Sequence, residues 1–178
     1  MNYYDLMYDF NHSEGLLFLS IDEETLPFGR YDVYEAKDLP VDRIVCSIDE
    51  EQTDYCDYIA NDLIWLVVSD KAKRIMEDFE LGNTRFIDMV DRKSGKTIGY
   101  LVHCMNHLDI FDEENAVCDR LSNGWLSVVK PAIYGEKVGT LDLFKLKEYD
   151  MPFFVSERLK KALQKNNCIG FDYLKIKS

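Results

Sequence analysis

The strongest constraint on the fold is one pattern that the chain contains twice. A short apolar run leads into a serine, an acidic residue follows, and apolar residues then recur with helical spacing. In the first copy, Ser69 and Asp70 precede apolar residues spaced three and four apart, which are Ala72, Ile75, Met76 and Phe79. Serine caps helix N-termini and a carboxylate suits the first turn, so this spacing predicts a one-faced helix that ends near Gly82.

The second copy lies close to the C-terminus. Ser156 and Glu157 stand at the start of its helix, and Leu159, Ala162 and Leu163 share one face. When residues 66–89 are aligned without gaps over residues 153–176, three positions are identical: Val68 with Val155, Ser69 with Ser156, and Lys73 with Lys160. The alignment suggests two copies of a strand, capped helix, strand unit, although two independent uses of the same capping chemistry would give the same pattern.

Most of the remaining regular segments are typical of strands. Strand-like runs occupy residues 16–21, 84–90, 97–104, 125–129 and 141–146, and the turn residues DRKSGK predict a hairpin between the second and third. Residues 27–62 are poorly periodic, and the spacing of Tyr55, Tyr58 and Ile59 there permits a short helix. We therefore predict an α+β fold with a mixed or mostly antiparallel sheet and two main helices that begin near Ser69 and Ser156.

Charge is distributed unevenly along the chain. Its 178 residues include 33 acidic and 21 basic ones, a net charge of -12, and residues 1–60 carry 15 of the acidic residues against three basic ones. The length fits a single domain, 1–178, with an acidic N-terminal subregion, 1–60, and a neutral scaffold, 61–178. The acidity argues against binding to nucleic acid or to an anionic membrane surface, because both would repel it. An acidic, tyrosine-rich surface instead suits a basic protein partner.

The chain lacks the marks of secretion or membrane insertion. The acidic first residues do not form a basic segment followed by an apolar one, and no apolar run approaches the roughly 18 residues that span a membrane. Five cysteines at wide spacings do not suggest a disulfide framework. We expect a cytoplasmic protein with reduced thiols.

One cluster of residues suggests a metal site. His103, Cys104 and His107 have side chains of the type that bind zinc. On a strand, however, His103 and His107 share one face and Cys104 points to the other. Strand-end histidines and a buried thiol are therefore the favoured interpretation, with no metal, no cofactor and no catalytic residue. The familiar phosphate-binding, hydrolase and metalloprotease motifs are also absent from the sequence.

Three segments together carry a resemblance to a known family. They are LVVSDKAKRIMED, the strand pair FIDMVDRKSGKTIGYLVHC with the LDIFD turn that follows, and the closing LFKLKEYDMPFFVSERLKKALQKNNCIGFDYLKI. Over about residues 60–176 the chain resembles the bacterial immunity protein family called "immunity protein eleven", which is linked to polymorphic toxin systems. The resemblance implies a protein that binds a toxin, and it brings no set of catalytic residues.

We therefore expect an immunity protein, not an enzyme, that neutralises a cognate toxin by covering its active site. A nuclease toxin with a basic cleft would suit the acidic surface. The contact residues that composition suggests are Asp49, Glu50, Glu51, Asp54, Tyr55, Asp57 and Tyr58. Two alternatives remain: a metal-dependent or thiol enzyme that uses His103, His107 and Cys104, and a non-catalytic adaptor module. The sequence does not predict an oligomeric state.

Overall fold

The structure is a computed structural model that describes residues 1–12, 16–48, 54, 56–122, 126–149 and 151–178. Within these residues the chain forms thirteen strands and two α-helices, together with short 3-10 turns. The strands are β1 (Tyr3–Tyr8), β2 (Phe18–Ile21), β3 (Arg43–Ile48), β4 (Tyr58–Asn61), β5 (Val67–Val68), β6 (Thr84–Asp91), β7 (Thr97–Cys104), β8 (His107–Leu108), β9 (Val117–Arg120), β10 (Leu126–Lys130), β11 (Leu143–Leu146), β12 (Phe153–Ser156) and β13 (Phe171–Lys175). The helices are α1 (Asp70–Glu77) and α2 (Glu157–Lys165).

Six strands close into a barrel in the order β2-β3-β6-β7-β5-β4. The predicted hairpin is present as β6 and β7, which pair from Thr84 with Cys104 to Val90 with Thr97. The barrel closes through two parallel pairings, β2 with β4 and β3 with β6. The α+β class is confirmed, and of the two predicted sheet types the mixed one is present, because closure of the barrel pairs β2 with β4 and β3 with β6 in parallel.

A second, five-stranded sheet has the order β13-β1-β12-β11-β8. Strand β1 lies between β12 and β13 and pairs antiparallel with both. Residues 1–60 therefore contribute strands to both sheets, since β2, β3 and β4 belong to the barrel. Of the residues whose spacing permits a short helix, Tyr55 lies outside the described residues, and Tyr58 and Ile59 lie in strand β4. These two strand residues pair with Val68 and Val67 of β5, so barrel pairing outweighs the local spacing.

Both predicted helices begin where the capping serines indicate. The Ser69 hydroxyl accepts the amide hydrogen of Ala72 at 3.1 Å, and the Ser156 hydroxyl accepts that of Leu159 at 3.2 Å. The apolar faces of α1 and α2 pack into one core with residues of both sheets. Helix α1 ends at Glu77, one turn before Gly82, which lies in the following loop at φ +53°. Neither helix of the described residues is long or apolar enough to cross a membrane.

Candidate functional site

An open apolar groove of about 380 Å³ lies along strands β2 and β4 of the barrel. Three segments form it. Tyr8 and Phe10 come from the end of β1 and the turn after it, Leu16 and Phe18 from the start of β2, and the remaining residues from β4 and the turn that leads to β5. The groove is thus built where the two sheets meet, by segments that are far apart in the sequence.

The β4–β5 turn that borders the groove is held by one buried side chain. The Asn61 amide nitrogen donates to the carbonyls of Trp65 at 2.8 Å and Ile59 at 3.3 Å, and its Oδ1 accepts the Trp65 amide hydrogen at 3.0 Å. Asp62 anchors the same turn to β2, because its carboxylate accepts the amide hydrogen of Ile21. These contacts determine the backbone path of the turn.

Ile64 is the most unusual residue of this turn. Its φ is +58°, in the left-handed region that β-branched residues rarely adopt, and its side chain is 68% exposed. A conformation of this kind costs about 1–3 kcal/mol and persists only where the surrounding structure imposes it. The fold therefore holds an apolar side chain in solvent, at the groove, at an energetic cost.

Aromatic residues form the other side of the groove. Phe10 is 78% exposed and packs edge-to-face on Tyr8, with ring centroids 5.2 Å apart. Tyr8 in turn packs on Tyr58 with centroids 5.3 Å apart. Burial raises the pKa of the Tyr58 hydroxyl, so this side chain stays neutral and acts as an apolar floor. Together Phe10 and Ile64 give the groove two exposed apolar side chains over an aromatic base.

The excess negative charge of the chain lies in two long segments, and the residues that line the groove fall within them. Residues 1–29 contain six acidic residues, residues 44–70 contain seven, and neither segment contains lysine or arginine. The remainder of the chain has 20 acidic and 21 basic residues and is nearly neutral. Among the described acidic residues next to the groove, Asp54 and Asp62 are exposed and Asp9 is partly exposed. The groove lining contains no charged residue, and these three carboxylates lie next to lining residues in the chain or in the sheet.

The structure separates the contact residues that composition suggested. Asp54 is exposed and pairs with Leu16, which lines the groove. Tyr58 is only 7% exposed and lies at the base of the groove. Asp57 is fully buried, so it presents no carboxylate to a partner. The other four, Asp49, Glu50, Glu51 and Tyr55, lie outside the described residues.

Asp57 has a structural role instead. Its carboxylate accepts hydrogen bonds from the Ser69 hydroxyl at 2.6 Å, from the Ile169 amide at 3.0 Å and from Lys71 at 3.2 Å. Sequence reasoning chose Asp57 because it is acidic, and missed Phe10 and Ile64. No local pattern shows that an isoleucine will adopt a positive φ and face solvent.

The histidine and cysteine residues that suggested a metal site do not converge. His103 is fully buried, and its Nε2 donates to the Lys37 carbonyl at 2.8 Å. Burial lowers the pKa of His103, helped by the nearby Arg85 and Lys145, so the ring stays neutral. In the part of the chain that the structure describes, no three histidine, cysteine, aspartate or glutamate residues are placed to hold a metal ion.

The other two members of that cluster are also separated. Cys104 packs in the core beneath the helices, where burial raises the pKa of its thiol and disfavours the nucleophilic thiolate. His107 lies beyond the end of β7, in the short strand β8 beside Lys145 of β11. A thiol or metal mechanism that uses these residues together has no geometric support.

Comparison with known proteins places the chain in a family. Residues 19–178 match the family described as Immunity protein family (Imm11). The match begins well inside the acidic first sixty residues, so it extends beyond the scaffold that the sequence motifs covered. It indicates no enzyme family. No curated protein matches the chain.

Proposed function

The chain belongs to the immunity protein family (Imm11), and from this membership we propose that it binds a cognate toxin protein and neutralises it by covering the toxin's active site. The observation that carries the proposal is the family match over nearly the whole chain. The buried, neutral state of His103 and the buried thiol of Cys104 agree with a role in binding, not catalysis.

The proposed partner is a toxin with a basic surface, such as a nuclease. A nuclease needs lysine and arginine around its active site to bind the phosphate backbone. A protein of net charge -12 is attracted to such a basic cleft, and this attraction speeds association of the two proteins. The encounter is proposed to take place in the cytoplasm, where the five thiols stay reduced.

Co-expression with the product of the adjacent toxin gene tests the proposal. We expect the toxin to arrest growth alone, and the chain to restore growth and to co-purify with the toxin. An unrelated acidic protein of similar size and net charge is the control, because it separates specific binding from charge attraction. If the chain neither restores growth nor co-purifies, the immunity function is wrong. Co-purification without rescue would favour the adaptor alternative.

A further inference from the structure

The apolar groove beside the β4–β5 turn has the properties of a protein-binding surface. Interface centres are apolar and rich in aromatic residues, and a polar border surrounds them. Here Phe10 and Ile64 supply exposed apolar groups, Tyr8 and Tyr58 supply the aromatic base, and Asp9, Asp54 and Asp62 lie next to lining residues. The left-handed backbone conformation of Ile64 is a second, independent indication of a binding surface, since residues with strained backbones are concentrated at ligand-binding sites.

Charge identifies the kind of occupant. The groove lining contains no lysine or arginine, and the described acidic residues Asp9, Asp54 and Asp62 lie next to lining residues in the chain or in the sheet. Nucleic acid and anionic lipid would be repelled from this surface. A second copy of the chain would bring two acidic surfaces together if it used the same groove. A basic protein segment is the occupant that both the apolar base and these nearby carboxylates favour.

We propose that this groove is the surface that receives the toxin, and that its occupant is a toxin segment with an apolar side chain flanked by lysine or arginine. This inference rests on the proposed immunity function and identifies the surface of the chain that would bind the toxin. The apolar side chain packs against Ile64 and Phe10, and the flanking cations lie near Asp9, Asp54 and Asp62. Ile64 is then the anchor residue of the interface, held in place by Asn61.

An Ile64→Asn variant tests the apolar part. Asparagine adopts the left-handed region far more readily than isoleucine does, so the variant keeps the turn and relieves strain. It removes the anchor without harming the fold. We expect the dissociation constant for the purified toxin to rise at least about tenfold. Val129→Asn on β10 is the matched control, because Val129 is 66% exposed and lies outside the groove. We expect this control to change affinity by less than about twofold.

Asp54→Lys tests the charged part. Asp54 is exposed beside the groove, and we expect its reversal to slow association with the toxin and to reduce the dependence of the rate on salt. Asp119→Lys on β9 makes the same change of charge at an exposed position away from the groove. We expect it to slow association less than Asp54→Lys does.

The outcomes separate this inference from the proposed function. If the wild-type chain binds the toxin and the Ile64 and Asp54 variants bind as it does, the groove is not the docking surface, although the immunity function stands. If the wild-type chain does not bind the toxin, both proposals are wrong. Thermal unfolding of each variant shows that a loss of binding does not come from a loss of fold.

Discussion

Asp57 and Asp142 occupy equivalent positions in two copies of one helix-capping arrangement. Each is fully buried, and each accepts a hydrogen bond from the hydroxyl of the serine that caps a helix, Ser69 for α1 and Ser156 for α2. The amide of each serine also donates to the backbone carbonyl of the same aspartate, at 2.9 and 3.0 Å. The repeated sequence pattern therefore corresponds to a repeated three-dimensional arrangement.

The two arrangements are also linked crosswise. Asp57 accepts the amide hydrogen of Ile169, which follows α2, and Asp142 accepts that of Glu80, which follows α1. Each aspartate thus ties the start of one helix to the loop after the other. In both arrangements the residue two positions after the serine is basic and forms an ion pair with the buried aspartate: Lys71 with Asp57, and Arg158 with Asp142.

Removal of one of these carboxylates should weaken the whole fold. We expect Asp142→Ala to lower the free energy of unfolding by about 3 kcal/mol, because it leaves the Ser156 hydroxyl and the Glu80 amide without their acceptor. Urea denaturation measures the change. Asp70→Ala is the control, since the exposed Asp70 carboxylate pairs with the exposed Arg74 on the same helix, and its loss should cost less than about 1 kcal/mol. Equal stability of the Asp142 variant and the wild type would contradict the linked arrangement.

Asp5 should make stability depend on pH. It lies in β1, and burial raises its pKa to about 6. Because the carboxyl pKa of Asp5 is raised in the folded state, the folded chain binds the proton more tightly than the unfolded chain does. The stability that this proton binding provides is therefore greatest below about pH 4 and is lost as pH rises through 6. We expect Asp5→Asn to stabilise the protein by about 1–2 kcal/mol at pH 7.5 and by much less at pH 4. Denaturation at both pH values checks this, and a difference that does not change with pH would refute it.

Asn61 should be necessary for the groove. We expect Asn61→Ala to lower the free energy of unfolding by about 2–3 kcal/mol, because the Trp65 amide and carbonyl lose their partner inside the protein. Asn166→Ala is the control, since the Asn166 side chain is exposed at the end of α2 and donates to the Ala162 carbonyl. Chemical denaturation compares the two. If both changes cost the same small amount, Asn61 does not hold the turn.

The electrostatic part of the proposed recognition predicts a salt effect. Raising the salt concentration from about 0.1 M to 1 M shortens the screening length from about 10 Å to about 3 Å, and we expect it to slow association with the toxin. Simultaneous reversal of Glu50, Glu51 and Asp54 should have the same effect at low salt. Stopped-flow association kinetics measures both, and a rate that responds to neither would exclude electrostatic steering.

Some elements could be predicted because their causes lie close together in the sequence. The caps of α1 and α2 depend on a serine and the amide three residues later, and the β6–β7 hairpin depends on two strand-like runs around one turn. The region from 27 to 62 could not be predicted in the same way. Its strands β3 and β4 pair with segments distant in the sequence, as β3 does with β6. The local periodicity of a segment does not indicate which distant strand it will pair with.

The sequence alone determined the α+β class, the two helix starts, the central hairpin, the resemblance to an immunity family and the uneven distribution of charge. Each of these features depends either on residues that are close together in the sequence or on the composition of a whole segment. Only the tertiary structure decided which acidic residues are available to a partner and which apolar ones face solvent. Asp57 is buried beside the capping Ser69 and Ile64 is exposed at a positive φ, because long-range strand pairing, which no local pattern encodes, determines burial and backbone conformation at both positions.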